Sequence, residues 1–294
     1  MTLYTQQSKN ITRTWLLMSI FFVIIIGIGW VFSRVYGNPV ILYFFIGFSL
    51  IMNFISYWFS DKIALSMAGA KEVKHDEMPE LYHIVENLCI TAGLKMPKIY
   101  IINDPAPNAF ATGRNQDNAA IAVTTGLLER LDKSELEGVI SHELSHIGNR
   151  DILISTIVVV LVGFIATLSD LFLRMSFWRD REERDNWLMF FIGLVAAILA
   201  PIAATLIQLA ISRKREFLAD ATGALLTRYP EGLASALEKI SQYPLALKRA
   251  NNSTAHLYIS NPFGAKSVNN WFVKLFSTHP PVEERIKVLR EMSV

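Results

Sequence analysis

The residues best suited to chemistry stand in one pentapeptide, His142-Glu143-Leu144-Ser145-His146. On a helix, positions four apart project from one face, so the two imidazoles can grip a single Zn²⁺. Glu143 lies beside them, placed to act on a water molecule rather than to ligate. The plainer reading is a pair of surface or core histidines. A catalytic zinc site needs a third protein ligand and one open position. No histidine follows within the next few residues, so that ligand must come from farther along the chain. The run Arg215-Glu216-Phe217-Leu218-Ala219-Asp220 offers two acids, again four apart. Glu216 is the candidate ligand, and Asp220 the candidate for hydrogen-bonding a ligand imidazole and fixing its tautomer. Read alone, this charged run fits an exposed acid better than a ligand.

The elements that must carry these residues follow from composition. The chain has 294 residues, 52% hydrophobic and only 18% charged. About a quarter charged is usual in a soluble protein. The charges are unevenly placed, and the stretches 14–33, 40–60, 152–169 and 187–211 contain none. About 20 apolar residues cross a ~30 Å hydrocarbon core, so each stretch has membrane length. Four such core helices in a soluble protein would need a larger polar shell than the rest of the chain supplies. Trp15, Trp30, Trp58 and Trp187 lie near the segment ends, where aromatic belts sit.

These spans divide the chain into an N-terminal transmembrane hairpin at 14–60, a second hairpin at 152–211, and one polar domain assembled from 61–151 plus 212–294. Lys and Arg residues near the segment ends number nine on one side and five on the other. That vote puts both termini and the polar domain in the cytosol. The Arg-rich loop 174–186 opposes it, although four acids accompany its arginines. A hairpin of the last two segments that does not fully cross is the alternative.

Within the polar domain, 78–92 reads as an amphipathic helix with Gly93 as its stop, and Ile99–Ile102 as a short buried strand. Segments 108–112 and 120–124 are weaker strand candidates. Residues 133–150 read as a helix opened by a capping box of Asp132 and Glu135. A helix is expected to continue from the last span through about Leu226, with further helices at 233–240 and 281–292. The expected fold is therefore a membrane α-helical protein with four transmembrane helices. Its metalloprotease domain is mainly α, of α+β type, with a small sheet beside the H-E-x-x-H helix.

Helical rise puts His146 about 9 Å before the third span and Glu216 about 7–8 Å after the fourth. Both then stand at one height over one membrane face. Several other classes are excluded. Single Cys89 cannot form an intramolecular disulfide. No basic stripe interleaved with aromatics suggests nucleic acid, and no nucleotide is expected. A transporter would place ionisable groups inside its spans, and these hold none. A non-catalytic membrane scaffold would not require Glu143, and it stays open as an alternative.

With these residues in view, the chain resembles the HtpX family of bacterial membrane zinc metalloproteases, related to the CAAX prenyl-processing proteases. The resemblance spans nearly the whole chain. It rests on two N-terminal spans, H-E-L-S-H, two more spans and R-E-F-L-A-D, with Asn108-Ala109-Phe110-Ala111-Thr112-Gly113 before and Thr278-His279-Pro280-Pro281 after. It implies a zincin-like domain with one Zn²⁺ per chain on His142, His146 and Glu216, Glu143 as the base, and Asp220 behind a ligand. It also implies that Asn108, Ala109, Phe110 and Ala111 border the substrate cleft. We expect an extended peptide to pair along 108–112. His279 and Arg285 are candidates for stabilising the transition state, beside simpler roles as a helix cap and as the partner of an acid. The implied activity is proteolytic quality control of misfolded or damaged membrane proteins under stress, at the cytosolic face of the bacterial inner membrane. Membrane-protein or polypeptide substrates and the lipid bilayer are the implied partners. A homo-oligomer and other membrane quality-control proteases stay open, and a prenyl-processing-like protease is the nearest rival activity.

Overall fold

The computed structural model of the protein describes residues 3–177, 212–264 and 280–292. Helices α1 (Leu3–Val35) and α2 (Val40–Ala68) open the chain. Their apolar runs are long enough to cross a membrane, over Gln7–Val35 and Val40–Ala68. A helix suits such a run because it satisfies every backbone group internally. α2 stops at Gly69, which takes the left-handed conformation (φ 69°) that a side chain would disfavour.

A four-stranded sheet follows, in the order β1 (Lys71–Glu72), β2 (Lys98–Ile102), β4 (Ala119–Thr124), β3 (Ala109–Gly113). β2 and β4 are parallel, while β1 and β3 run antiparallel to their neighbours. Helix α3 (Pro79–Ala92) connects β1 to β2, and α4 (Thr125–Arg130) and α5 (Lys133–Gly148) follow β4. Then come α6 (Asp151–Phe177), α7 (Arg213–Thr227), α8 (Pro230–Ser241) and α9 (Val282–Arg290).

Both faces of the sheet are covered. Side chains alternate along a strand, so odd and even positions part company. Ala109, Ala111, Ala119, Ile121 and Val123 join the core shared with α3, α5 and α8. Phe110, Ala120 and Ala122 meet the end of α2, Val159 of α6, and Leu257 and Tyr258. The sheet is thus sandwiched between α3, α5 and α8 on one face and the end of α2 with α6 on the other. A third cluster joins Leu17, Phe21 and Ile25 of α1 to Ile154, Ile157, Val158 and Leu161 of α6.

Two expected helices are shorter than the sequence suggested. The helix expected over 133–150 ends at Gly148, and α5 and α6 meet at 85° across the break. Arg150 takes a left-handed conformation there (φ 57°), and Asp151 restarts the helix. The helix expected to run unbroken into 226 begins at Arg213, because Ser212 is extended (φ −142°) and its carbonyl accepts the N–H of Arg215. The height argument from continuous helices therefore fails, although both residues still meet at one point. The expected third span is helical in α6. Its part Asp151–Thr167 and α5 together pass as one bent span. Span 187–211 and most of the Arg-rich loop lie outside the described residues.

Candidate metal centre

α5 begins as the sequence requires. The Asp132 carboxylate accepts from the Glu135 N–H, and the Glu135 carboxylate accepts from the Asp132 N–H. The helix then runs through the core with Leu136, Val139, Ile140, Leu144 and Ile147 buried. One of its faces carries His142 and His146, whose Nε2 atoms lie 3.1 Å apart. Two glycines let other helices approach it. A Cβ at Gly138 would lie 2.6 Å from the Leu233 nitrogen of α8. A Cβ at Gly223 of α7 would lie 3.0 Å from the His142 nitrogen and the Ser141 Oγ. That close approach puts Glu216 of α7 over the imidazoles, with Oε2 3.9 Å from His142 Nε2 and Oε1 3.7 Å from His146 Nε2.

Each imidazole is oriented from behind. His142 Nδ1 lies 2.9 Å from Asp220 Oδ1, and His146 Nδ1 lies 3.2 Å from Asp151 Oδ2. Carboxylates beside both Nδ1 atoms favour the tautomer protonated there, which turns the Nε2 lone pairs toward each other. Two lone pairs at that separation repel unless a cation stands between them. Zinc ligands at about 2.0–2.1 Å in a tetrahedron stand about 3.3–3.4 Å from one another. The three donor atoms lie within 4.8 Å of one another, close to that scale. The residues therefore fit a metal, and two imidazoles with one carboxylate suit zinc chemistry. Glu143 is fully buried beside them, and its Oε1 has no hydrogen-bond partner among the described residues.

The electrostatics agree with this reading. Burial pushes the Glu143 carboxyl up, against the pull of His142 and His146. Burial alone would lower His146, but the Asp151 hydrogen bond and the charge of Glu216 outweigh it and lift the group to about 9. The pocket therefore favours positive charge at the point where the imidazoles converge. Asp220 is the opposite case. Burial would raise it, but Arg285 and the His142 contact hold it well below the usual carboxylate range.

The model of peptidase family M48 matches residues 75–293 of this chain. The chain belongs to the HtpX proteases of peptidase family M48. It is 50% identical to the protease HtpX homolog of Pyrococcus abyssi, covering 96% of each chain. It is 47% identical to that of Tropheryma whipplei (strain Twist), over 99% of this chain and 98% of the relative. With the homolog of Caldanaerobacter subterraneus it shares 44% identity over its full length and 99% of the relative's. The crystal structure of S. mikatae Ste24p is similar in fold, with a TM-score of 0.51 at 15% identity, covering 97% of this chain and 67% of that one. The family makes the protein a membrane metallopeptidase, and the His142, His146 and Glu216 group is where a metal ion could bind.

The structure brings together most of the candidate site residues read from the sequence. His142, Glu143, His146, Glu216 and Asp220 share one buried site. Arg285 had two possible roles, and the structure shows it as the partner of an acid. It is 1% exposed, and its Nε and Nη2 donate to Asp220 at 2.8 and 2.6 Å. Its Nη1 donates to the Ile259 carbonyl at 3.1 Å. His279 lies outside the described residues.

Ala109, Phe110 and Ala111 are buried on the outer strand β3 with Asn108 buried just before it, but the strand's edge is not open along its length. The Ile259 N–H donates to the Ala109 carbonyl at 2.9 Å, and Asn108 exchanges hydrogen bonds with the Ser260 backbone. Phe110 packs against Tyr258 with ring centroids 5.0 Å apart. The Ala111 N–H is directed at Glu143. The expected peptide pairing along 108–112 therefore meets the chain's own 259–260 segment at its start.

Sequence reasoning missed Asp151 and the groups that hold it. Asn10 of α1 donates to Asp151 Oδ1 at 2.6 Å and to the Asn149 carbonyl at 3.1 Å. Arg215 Nη1 lies 3.6 Å from Asp151 Oδ1 and donates to Asn10 Oδ1 at 3.4 Å. An acid opening a helix just past the histidines was the available signal.

Proposed function

We propose that the protein is a zinc metalloendopeptidase with one Zn²⁺ per chain, hydrolysing peptide bonds of misfolded or damaged membrane proteins at the cytosolic face under stress. The observation that carries this reading is the convergence of His142, His146 and Glu216 beside a buried, unpartnered Glu143 oxygen. The excess of Lys and Arg beside the polar domain supports the cytosolic side. The two membrane-length helices support substrates drawn from the bilayer or its surface.

His142, His146 and Glu216 would hold the ion and leave one position open. When bound there, zinc supplies Lewis acidity that polarises a peptide carbonyl and acidifies water. Glu143 accepts a proton from the attacking water on its free oxygen and delivers it to the departing amine. Burial suits Glu143 to this task, because a raised carboxyl holds the transferred proton more readily. Asp220 and Asp151 keep the imidazoles in one tautomer throughout. Substrate main chain beside β3 would pair where the edge faces Glu143, and pairing farther back requires 259–260 to leave Ala109.

The test is zinc stoichiometry and peptide cleavage measured on wild type and Glu143→Gln. The variant should keep about one zinc and lose about 10²–10⁴-fold in turnover. Retained turnover removes Glu143 as the base, and lost zinc refutes its place outside the ligand set. Cleavage of a membrane substrate should fall in its cytosolic loops, and cleavage on the opposite face would reverse the topology.

A further inference from the structure

A second polar site stands where α2 leaves its apolar stretch. A helix entering hydrocarbon at Val40 has crossed it after about 20 residues. That brings it to Trp58 and Phe59, with the first charges at Asp61 and Lys62. Phe54, Trp58 and Phe59 are 58%, 44% and 43% exposed there, and on a spanning helix such exposure faces lipid. The loop after β3 reaches the same level. Its Arg114 guanidinium stacks 4.3 Å from the Trp58 ring centroid. Lys62 Nζ lies 5.7 Å from the Phe59 ring centroid. These residues, with Asp61 and Asn118, line a cavity of about 510 Å³.

The charge in this cavity is not neutralised. Among the described residues, neither Arg114 nor Lys62 makes an ion pair or a hydrogen bond to an acid. Other partly exposed cations do, such as Lys98 with Glu72 and Arg290 with Glu231. Asp61 offsets one of the two charges lining the cavity, so one positive charge is left over. A guanidinium stacked on an indole keeps its N–H fork free at the rim, in the geometry that grips phosphate. The wall beneath is aromatic and continuous with the lipid-facing side of α2.

We propose that this cavity binds the phosphodiester headgroup of an anionic phospholipid, with Arg114 and Lys62 on the phosphate and an acyl chain along Phe54 and Phe59. A lipid fits better than a soluble phosphate because half of the site is apolar and lies at the membrane level. The site would also bear on the metal centre. Arg114 directly follows Gly113, the last residue of β3, and β3 presents Ala111 to Glu143. A lipid held here fastens the end of that strand to the membrane. This inference rests on α2 as a span and not on the zinc chemistry.

The experiment uses the full-length protein purified in a neutral detergent. Phosphatidylglycerol, phosphatidylcholine and inorganic phosphate are titrated in turn, with bound lipid per chain read by native mass spectrometry and the melting temperature read in parallel. Wild type should retain phosphatidylglycerol roughly tenfold or more over phosphatidylcholine, as two cations at a membrane surface would give. The Arg114→Gln/Lys62→Gln pair should lose that preference. Arg114→Lys should keep only part of it, because lysine retains the charge but not the stacked fork, and Arg34→Gln at the other end of the spans all of it. A double variant that keeps the preference, or a wild type that shows none, overturns the proposal. Stabilisation by inorganic phosphate equal to that by phosphatidylglycerol overturns the lipid assignment in favour of a soluble anion. Should the double variant not fold, brominated phosphatidylglycerol must quench wild-type tryptophan fluorescence more than brominated phosphatidylcholine, and equal quenching sinks the idea. Zinc content and cleavage by Glu143→Gln are independent of these readings, so the two hypotheses fail separately.

Discussion

A buried carboxylate can orient a histidine only while its own charge is balanced. Asp220 is 1% exposed, and the bidentate Arg285 grips both its oxygens, sharing Oδ1 with His142. Removing Arg285 leaves an unpaired buried charge, a loss that typically costs about 3–5 kcal/mol. Arg285→Gln should therefore lower the melting temperature and weaken metal binding by about 10–100-fold, as loss of a group behind a ligand does. Arg285→Lys should recover part of both. Unchanged metal affinity in a destabilised Arg285→Gln would confine this residue to stability.

His256 gives a pH dependence at the same scale. Burial pushes it down to about 4, assisted by the charge of Arg215 and opposed by its hydrogen bond to the Ser155 carbonyl. Its value in the unfolded chain is about 6.5. Above that pH neither state binds the proton, and stability is complete. As pH falls from about 6.5 to 4 the unfolded state gains a proton that the native state refuses, so stability drops by up to about 3 kcal/mol. Below about 4 this residue takes no more. Melting temperatures of wild type and His256→Leu across this window should converge toward low pH. Parallel curves would show that His256 does not titrate on unfolding.

At the scale of elements, the site is set by how closely three helices approach. Gly223 faces His142 and Ser141 across the α5 and α7 contact, and α7 carries both Glu216 and Asp220. Gly223→Ala would gain about 1 kcal/mol of helix propensity in an isolated helix. In the protein, the added methyl meets backbone at 3.0 Å. We expect α7 to move outward, so metal affinity falls more than the melting temperature does. Metal titration beside calorimetry checks this, and equal or tighter metal binding would show that the interface yields without moving the ligands.

The elements most legible in the sequence are those whose signals are local. The Asp132 and Glu135 capping box, Pro79 and Gly93 around α3, and the spacing of His142 and His146 all act within one helix. β3 and β4 were faint because every residue in them is buried and most are small. A strand covered on both faces shows no alternation of polar and apolar positions. The break at Ser212 was missed because no proline or glycine marks it, whereas Gly148 stood at the first break and was read as part of the helix. Glu216 looked like an exposed acid in its charged run; the need for a third ligand and the resemblance made it a candidate, and it lies 3.7 Å from His146. Asp151 looked like an ordinary acid opening a helix, which is a sufficient local reason for it.

At the scale of the molecule, the metal centre is not confined to the polar domain. The Asp151 carboxylate that orients His146 is itself held by Asn10, on the first membrane helix, 141 positions away in sequence. Asn10 is 1% exposed, and its amide also donates to the Asn149 carbonyl, one of the groups left over where α5 ends. Gln7 does the same for Gly148 at 2.7 Å. Arg215 closes the ring from α7, next to Glu216. The foot of α1 therefore caps the ligand helix and fixes its orienting acid together. Asn10→Leu keeps the branching of the side chain but removes both donors and leaves Asp151 short of a partner. A buried acceptor left unsatisfied costs about 1–3 kcal/mol, and looser orientation of a ligand histidine lowers metal affinity by about 10–100-fold. The measurement is zinc affinity by competition with a chelator, taken on Asn10→Leu and on Asn10→Asp. Asn10→Asp should be the worse of the two, because it sets a second carboxylate against Asp151. If both variants bind zinc as wild type does, α1 serves only to hold the protein in the membrane, and the contact with Asp151 has no part in building the site.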